Sequence, residues 1–360
     1  MRIIHTSDIH LGSKITAHLD AARSQTRRRE LQDGFARLVR KAKELSAEAI
    51  IIAGDLFDED TVSKRLIEAT LATVDSASEI MFLYLPGNHE GEALSASGIP
   101  LPKNLKIFGE DWTSFELDGV TVTGRTRLSR DMFKSLRHVL SDERKNRTIA
   151  VLHGELQVGA SSEKVIGAKD LEGTDIDYIA LGHYHSYSVK SIGKTQAVYC
   201  GTPEGRGFDE AGERGFVVID ISEDGVTHTF VPSEGRKLRI IETDITGEKT
   251  QSEIEAAVGR ALLGVSKNDM VRVVLVGNHA PDTVRDTDSI RRRFSHEYFY
   301  FEAKDKTTLG IRAEDYKHDK SLMGEFVRQV MADEKLTPQE RGRILEYGIH
   351  ALRGESMAGR

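Results

Sequence analysis

The chain has 360 residues, of which 39% are hydrophobic and 30% are charged. This balance supports a buried core and excludes a disordered protein, and the length favours two or three domains over one. The formal net charge of −7 excludes a general attraction to nucleic acid, so any contact with DNA must rely on local patches or on bound metal.

The cysteine count and the hydropathy suggest a location. Cys200 is the only cysteine, which excludes an internal disulfide and fits a reducing compartment. No apolar run approaches the roughly 20 residues needed to cross a bilayer, so no membrane is expected. The first predicted strand begins at residue 2 and leaves no room for a signal peptide, so the expected location is cytoplasmic.

In the first half of the chain, short apolar runs alternate with helical periodicity, which is typical of a layered α/β domain. Strands are predicted at residues 2–6, 49–53, 80–85, 148–152, 178–181, 197–200 and 216–221. Amphipathic helices are predicted at residues 31–45 and 66–74. Asp118-Gly119 lies between two alternating runs and predicts a hairpin turn.

Beyond about residue 233 the pattern predicts a smaller βαβ-like unit, with strands near 239–243, 271–276 and 298–302 and a helix near 252–263. Two helices follow near 321–334 and 338–352, with Thr337 as N-cap and Pro338 at the first helical position. Their apolar stripes predict a docking element for a partner; a hairpin packed on its own domain is the alternative. The predicted domains are 1–233, 234–311 and 312–360.

Five short segments that carry ligand-type side chains each follow a predicted strand. They are Asp8-Ile9-His10, Gly54-Asp55, Gly87-Asn88-His89-Glu90, His153-Gly154 and Gly182-His183-Tyr184-His185. Loops beyond the carboxyl ends of strands converge on one crevice in layered α/β domains, so the segments can meet. Each alone is a weak signal, since a lone D-x-H or H-x-H is common by chance; together and in this order they predict a site.

The donor types in these segments predict a site for two metal ions. Oxygen and nitrogen donors without a thiolate suit divalent cations. One six-coordinate ion cannot use all of these side chains and also bind substrate, whereas two ions that share a carboxylate can use most of them. Two dications facing Asp8 and Asp55 would suit a phosphodiester and activate water. The predicted chemistry is hydrolytic phosphoryl transfer.

The ordered set D-x-H, GDLFD, GNHE, HGE and GHYH resembles the calcineurin-like metallophosphoesterases. Within that class, MRIIHTSDIHLGSK and YCGTPEGRGFDEAGERGFVVIDI resemble the SbcD-type DNA repair nucleases and their archaeal and eukaryotic counterparts. The resemblance implies an α/β fold with a layered two-sheet αββα core, a small α+β capping domain and a C-terminal helical partner-docking segment.

The same resemblance implies roles for the site residues. One ion would be held by Asp8, His10, Asp55 and His185, and the other by Asp55, Asn88, His153 and His183, with Asp55 as the bridge. His89 would stabilise the transition state or protonate the leaving oxygen. Manganese is the expected ion, and the ligands also permit magnesium, iron or zinc. Asp58 stands where some family members have a second histidine; it could orient a ligand or be a plain loop acid.

The resemblance also implies a homodimer, DNA as substrate and an SbcC-type ABC-class ATPase whose coiled coils bind the C-terminal helices. The chain would then be the nuclease subunit of a DNA repair complex, acting as exonuclease and endonuclease on DNA ends or single strands. The candidates for DNA contact are Arg23, Arg27, Arg28, Arg29, Arg125, Arg127 and Arg130. A solvated charged face is the alternative for both clusters.

Three other functions are weighed against this one. Phosphoprotein phosphatases share GNHE, but an arginine usually follows their second motif, and residues 56–60 contain none. A hydrolase of cyclic nucleotides or other small phosphodiesters would not need the small second domain or the helical tail. A non-catalytic regulator of an ATPase is disfavoured, because a decayed site would be expected to have lost some of its ligands.

Overall fold

The computed structural model describes residues 1–360 except 14, 16–18, 59–61, 88–93, 95–96, 140–146, 164, 281–282, 312, 353 and 355–360. The chain divides into two compact units, Met1–Lys237 and Leu238–Arg360. A separate segment at 312–360 stays a prediction. No helix in the described ranges is long and apolar enough to cross a bilayer.

The first unit alternates strands with helices along most of its length. Its strands are β1 (Arg2–Thr6), β2 (Ala49–Ala53), β3 (Met81–Leu85), β4 (Leu105–Ile107), β5 (Thr113–Leu117), β6 (Val120–Gly124), β7 (Arg147–His153), β8 (Glu155–Gln157), β9 (Val165–Gly167), β10 (Tyr178–Gly182), β11 (Ser188–Ile192), β12 (Thr195–Tyr199), β13 (Gly215–Ser222) and β14 (Gly225–Pro232). Its helices are α1 (Ala21–Glu44), α2 (Lys64–Asp75), α3 (Met132–Val139) and α4 (Ala168–Leu171).

Two six-stranded sheets form the centre of this unit, in the orders β14-β13-β1-β2-β3-β4 and β11-β12-β10-β7-β6-β5. In the first sheet β1 to β4 run parallel, and β13 is antiparallel to β1. In the second sheet β7 is parallel to both β6 and β10. The carboxyl ends of β1, β2 and β3 therefore share one edge of their sheet, as do those of β7 and β10.

Successive side chains of a strand point to opposite sides of a sheet, and both sides of the central strands are buried. One face of the first sheet packs on α1 and α2, through Ile4, Ile50, Phe82, Phe35, Leu38, Ile67 and Leu71. Its other face packs on the second sheet, through Ile3, Ile51, Leu83, Ile149, Val151 and Ala180. The far face of the second sheet packs on α3, through Ala150, Leu152, Ile179, Met132, Phe133 and Leu136. The predicted αββα layering is confirmed.

The second unit is smaller and contains a three-stranded sheet. It comprises β15 (Leu238–Asp244), α5 (Gln251–Ala261), β16 (Met270–Val276), β17 (Asn278–His279), α6 (Thr287–Phe294), β18 (Tyr300–Asp305), β19 (Thr308–Leu309), α7 (Leu322–Ala332) and α8 (Pro338–Leu352). The three strands β15, β16 and β18 are parallel. The strand predicted near 298–302 begins too early in the sequence: β18 begins at Tyr300, and Tyr298 is a buried core residue that precedes it.

The two terminal helices pack against each other within this unit. Their shared core contains Val327, Val330, Leu345 and Ile349. Other apolar side chains of the same helices remain exposed: Leu322, Ile344, Tyr347 and Leu352. Packing of the two helices on each other thus buries some of the apolar side chains of the predicted stripes. The remaining ones form an apolar outer surface.

Candidate metal centre

The predicted ligands come together where the carboxyl ends of the central strands of both sheets meet. Several backbone hydrogen bonds join the loops after β1 and β2; among them, the N–H of Asp8 donates to the carbonyl of Gly54 at 3.0 Å, and that of His10 to the carbonyl of Asp55 at 2.9 Å. A further hydrogen bond joins the two sheets, because the N–H of His183 donates to the Asp8 carboxylate at 3.1 Å. These hydrogen bonds fix the relative positions of the loops.

The side chains converge as closely as the backbones. Ligand atoms of Asp8, His10 and His185 all lie within 4.8 Å of one another, as do those of Asp8, Asp55 and His153. The Oδ2 atom of Asp55 lies 3.9 Å from Nε2 of His10 and 3.4 Å from Nε2 of His153. Two ligands that each bind one ion at about 2.1 Å are about 3 to 4 Å apart, so these spacings suit shared ions.

The backbone at these ligands is strained. Of the non-glycine residues that the structure describes, five have a positive φ, and four of the five are Asp8 (51°), His10 (50°), Asp55 (49°) and His183 (108°). Such a conformation costs about 1 to 3 kcal/mol per residue and persists only where its surroundings impose it. The concentration of strain at predicted ligands is an independent sign of a functional site.

Two glycines let the backbone approach the ligands. A Cβ atom added to Gly54 would collide with the imidazole of His153, and one added to Gly87 would collide with the carboxylate of Asp55. Gly54 also has a φ of 95°, which favours glycine. The glycines of the second and third motifs are thus required by contact with ligands.

Three histidines have an acceptor beside Nδ1, and their Nε2 atoms face the cluster. Nδ1 of His185 is hydrogen-bonded to Oε1 of Glu210 at 2.7 Å, whereas Nδ1 of His10 lies 2.9 Å from Oδ1 of Asp58 but makes no hydrogen bond. The partner of His153 is the backbone carbonyl of Ala53 at 2.9 Å. Carboxylate or carbonyl acceptors behind a histidine are the usual partners of metal-binding imidazoles, since they fix the tautomer and the ring orientation.

The electrostatics of the cluster attract positive charge. Burial lowers the pKa of His10 to about 4, and the nearby Arg206 adds to this effect. Burial also acts to lower the pKa of His153, but the Asp55 carboxylate outweighs it and raises that pKa to about 9. Asp8 and Asp55 are both buried, and a divalent cation would compensate their charge. The residues present therefore fit a divalent-cation centre.

Of the remaining predicted site residues, His183 lies beside the cluster, with its ring centroid 5.6 Å from that of His153. Asn88 and His89 lie outside the described residues.

Sequence reasoning missed Glu210, the buried carboxylate behind His185. Burial acts to raise its pKa, but hydrogen bonds with His185 and Arg206 outweigh burial and lower it to about 2. Glu210 ends a 3-10 turn, Phe208–Glu210, after the two strands β11 and β12 that follow the H-x-H motif. The available signal was the density of charged residues in the run after Cys200.

The seven arginines proposed for DNA contact divide into two groups. Arg27 is fully buried and pairs with Glu30 and Glu204, and Arg125 is 5% exposed and pairs with Asp111. The prediction is wrong for these two, because charge pattern alone does not distinguish a buried, paired guanidinium from a surface one. The other five are exposed: Arg23, Arg28, Arg29, Arg127 and Arg130.

The two-sheet fold and the Asp/His cluster at its strand ends are those of a metallophosphoesterase. The chain belongs to the calcineurin-like phosphoesterase family, whose sequence model matches residues 1–187.

Two relatives are each described as a DNA double-strand break repair protein Mre11. The one from Haloferax volcanii is 26% identical over 257 residues, which cover 69% of this chain and 56% of the relative. The one from Methanopyrus kandleri is 28% identical over 296 residues, which cover 72% and 63%. The chain thus spans less than two thirds of the length of these relatives.

Among solved structures, a dimetal phosphatase from Danio rerio is similar with a TM-score of 0.44 and 14% identity, over 66% of this chain and 96% of that one. A likeness this low adds nothing to the family match.

Proposed function

We propose that the chain is a two-metal-dependent DNA nuclease and the nuclease subunit of a complex with an SbcC-like ATPase. The observation that carries the proposal is the convergence of Asp8, Asp55 and three histidines at the strand ends of both sheets. The Mre11 relatives support DNA as the substrate.

Asp8, His10, Asp55 and His185 would hold one ion, and Asp55, Asn88, His153 and His183 would hold the other. Asp8 contributes to both clusters of ligand atoms, and Asp55 would be the shared ligand, since its Oδ2 atom lies 3.9 Å from Nε2 of His10 and 3.4 Å from Nε2 of His153. When bound, two divalent ions stabilise charge on the phosphoryl oxygens and activate water. Manganese is the ion proposed, and magnesium, iron and zinc have compatible ligands.

His89 has a separate role in this proposal. It follows the ligand Asn88 in the sequence, and it protonates the leaving oxygen or stabilises the transition state. General acid catalysis of this kind contributes about 10² to 10⁴ in rate.

The exposed arginines of α1 are proposed DNA contacts on a helix that also contacts the chain segment beside the candidate centre. The buried Arg27 on the same helix donates to the carbonyl of Gly205 at 2.7 Å, and the next residue, Arg206, contacts Glu210 behind His185. Arg28 and Arg29 follow Arg27 directly and face solvent. Together with Arg23, Arg127 and Arg130, they supply the local positive charge that the net charge of −7 does not.

Cleavage of linear duplex and single-stranded DNA by the purified chain with Mn²⁺ tests the function, with bis(p-nitrophenyl) phosphate as a small phosphodiester in parallel. Chelation should abolish the cleavage of DNA, and His89→Ala should abolish it while metal binding persists. Hydrolysis of the small ester alone would favour a small-substrate enzyme. Metal binding without either activity would favour a regulator of an ATPase.

A further inference from the structure

Arg206 lies behind two histidines of the candidate centre and joins the carboxylates that hold them. Its Nη1 atom donates to Oδ1 of Asp58 at 3.0 Å, and its Nη2 and Nε atoms donate to Oε1 of Glu210 at 2.6 and 3.0 Å. Only 15% of its side chain is exposed. One guanidinium therefore links two loops that are about 150 residues apart in sequence.

Those two oxygen atoms are the ones that contact the histidines. Oδ1 of Asp58 is the atom 2.9 Å from Nδ1 of His10, and Oε1 of Glu210 is the atom 2.7 Å from Nδ1 of His185. The Nε2 atoms of the two imidazoles are 3.2 Å apart. Arg206 therefore contacts the carboxylate oxygen that lies beside Nδ1 of each histidine proposed for the first ion.

At the site proposed for the second ion, the acceptor beside Nδ1 of a histidine is a backbone atom. The Nδ1 atom of His153 meets the backbone carbonyl of Ala53, which does not depend on any side chain. His153 therefore has a backbone acceptor, whereas the acceptors beside His10 and His185 are side chains that contact Arg206.

We propose that Arg206 is a positioning residue for the first metal ion only: it fixes Asp58 and Glu210, and through them the rings of His10 and His185. The inference rests on the proposed two-metal centre, but not on DNA as its substrate. The planar fork of arginine can bond two carboxylates at fixed angles, which the single ammonium of lysine cannot.

Charge and position predict opposite effects when Arg206 is neutralised. Removing a positive charge beside the centre strengthens its attraction for a cation, so an electrostatic role alone predicts tighter binding. Loss of orientation predicts weaker binding. The backbone N–H of Arg206 also donates to Oε2 of Glu210 at 2.6 Å and remains in any variant, so the effect is expected mainly through Asp58 and His10.

The test is calorimetric titration of the chelator-treated full chain with Mn²⁺. Wild type should bind two ions, and Arg206→Met should weaken one site by about 10- to 100-fold and leave the other unchanged. Electron paramagnetic resonance at limiting Mn²⁺ should show the coupled-pair signal in wild type and mainly isolated ions in the variant. Arg206→Lys should resemble Arg206→Met, and Arg40→Met, at an exposed arginine of α1, should resemble wild type.

Asp58→Glu covers the case in which Arg206→Met does not fold, because it keeps the negative charge and displaces the carboxylate that contacts both Arg206 and His10. It should weaken the same single site. Unchanged or tighter binding at both sites in the folded variants would overturn the inference, as would equal weakening of both sites. An inactive wild type that binds two ions would count against the nuclease proposal alone, because this readout is metal affinity.

Discussion

The Nδ1 atom of His153, at the end of β7, lies 2.9 Å from the carbonyl oxygen of Ala53, at the end of β2. This contact joins the two sheets at the candidate centre and aims Nε2 at Asp55. The space for the imidazole exists because residue 54 has no side chain.

Substitution of Gly54 by alanine should therefore disrupt the centre. The new methyl group collides with the His153 ring, and the φ of 95° adds about 1 to 3 kcal/mol of backbone strain. Metal titration should show that the site containing His153 is lost. Cleavage of DNA should be lost as well. Gly342→Ala is the matched control: a Cβ atom there contacts nothing within 4 Å, so binding should not change. Two intact sites in Gly54→Ala would contradict the role assigned to this contact.

The buried pair of Arg27 and Glu204 should contribute strongly to stability. Glu204 is 4% exposed and accepts hydrogen bonds from both Arg27 and Arg37. Glu204→Ala removes one partner of a fully buried guanidinium, and we expect the free energy of unfolding to fall by about 3 to 5 kcal/mol. Urea denaturation measures this. Glu44→Ala breaks an exposed pair with Lys41 on α1, the helix that carries Arg27. It should lower the free energy of unfolding by no more than about 1 kcal/mol. Equal losses would refute the distinction.

Arg28 and Arg29 should contact DNA phosphates, whereas Arg27 should not. Changing either exposed residue to alanine should weaken binding to all sequences alike and reduce the slope of log affinity against log salt by about 1. Fluorescence anisotropy over a salt series measures the slope. Arg40→Ala is the control, since Arg40 is exposed on α1 about 18 Å further along the helix. A slope that does not change for Arg28 and Arg29 would exclude this face.

The exposed surface of α7 and α8 should bind the ATPase. Leu322 is 71% exposed and Tyr347 58% exposed, so Leu322→Asp with Tyr347→Asp alters the outer surface and leaves the core between the helices intact. We expect loss of co-purification with an SbcC-like ATPase and no change in metal binding. Leu101→Asp, at a residue 44% exposed in the first unit, is the control. Retained co-purification would place the partner elsewhere.

The positions of Asp8, Asp55 and His153 could be predicted from the sequence. Each follows a run of apolar residues buried on both faces, and the carboxyl ends of parallel strands necessarily meet at one edge. The layered α/β class followed from the same periodicity, whereas the two-sheet αββα arrangement was implied by the family resemblance. The edge strands β11 and β14 were not predicted, because their exposed residues lack a continuous apolar run.

The positions of Glu210 and Arg206 could not be predicted, although they support the same ligands. Glu210 meets His185 from 25 residues away, and Arg206 meets Asp58 from 148 residues away, so no local pattern connects them. The burial of Arg27 and Arg125 was equally hidden, since an acidic partner such as Glu204 becomes adjacent only in the folded chain.

The proposed centre requires two ions that share Asp55. Crystals of the chain soaked in Mn²⁺ and measured at the manganese absorption edge should show two anomalous peaks about 3.5 to 4 Å apart, with Asp55 between them. A single peak, or two peaks that do not share Asp55, would contradict the two-metal centre.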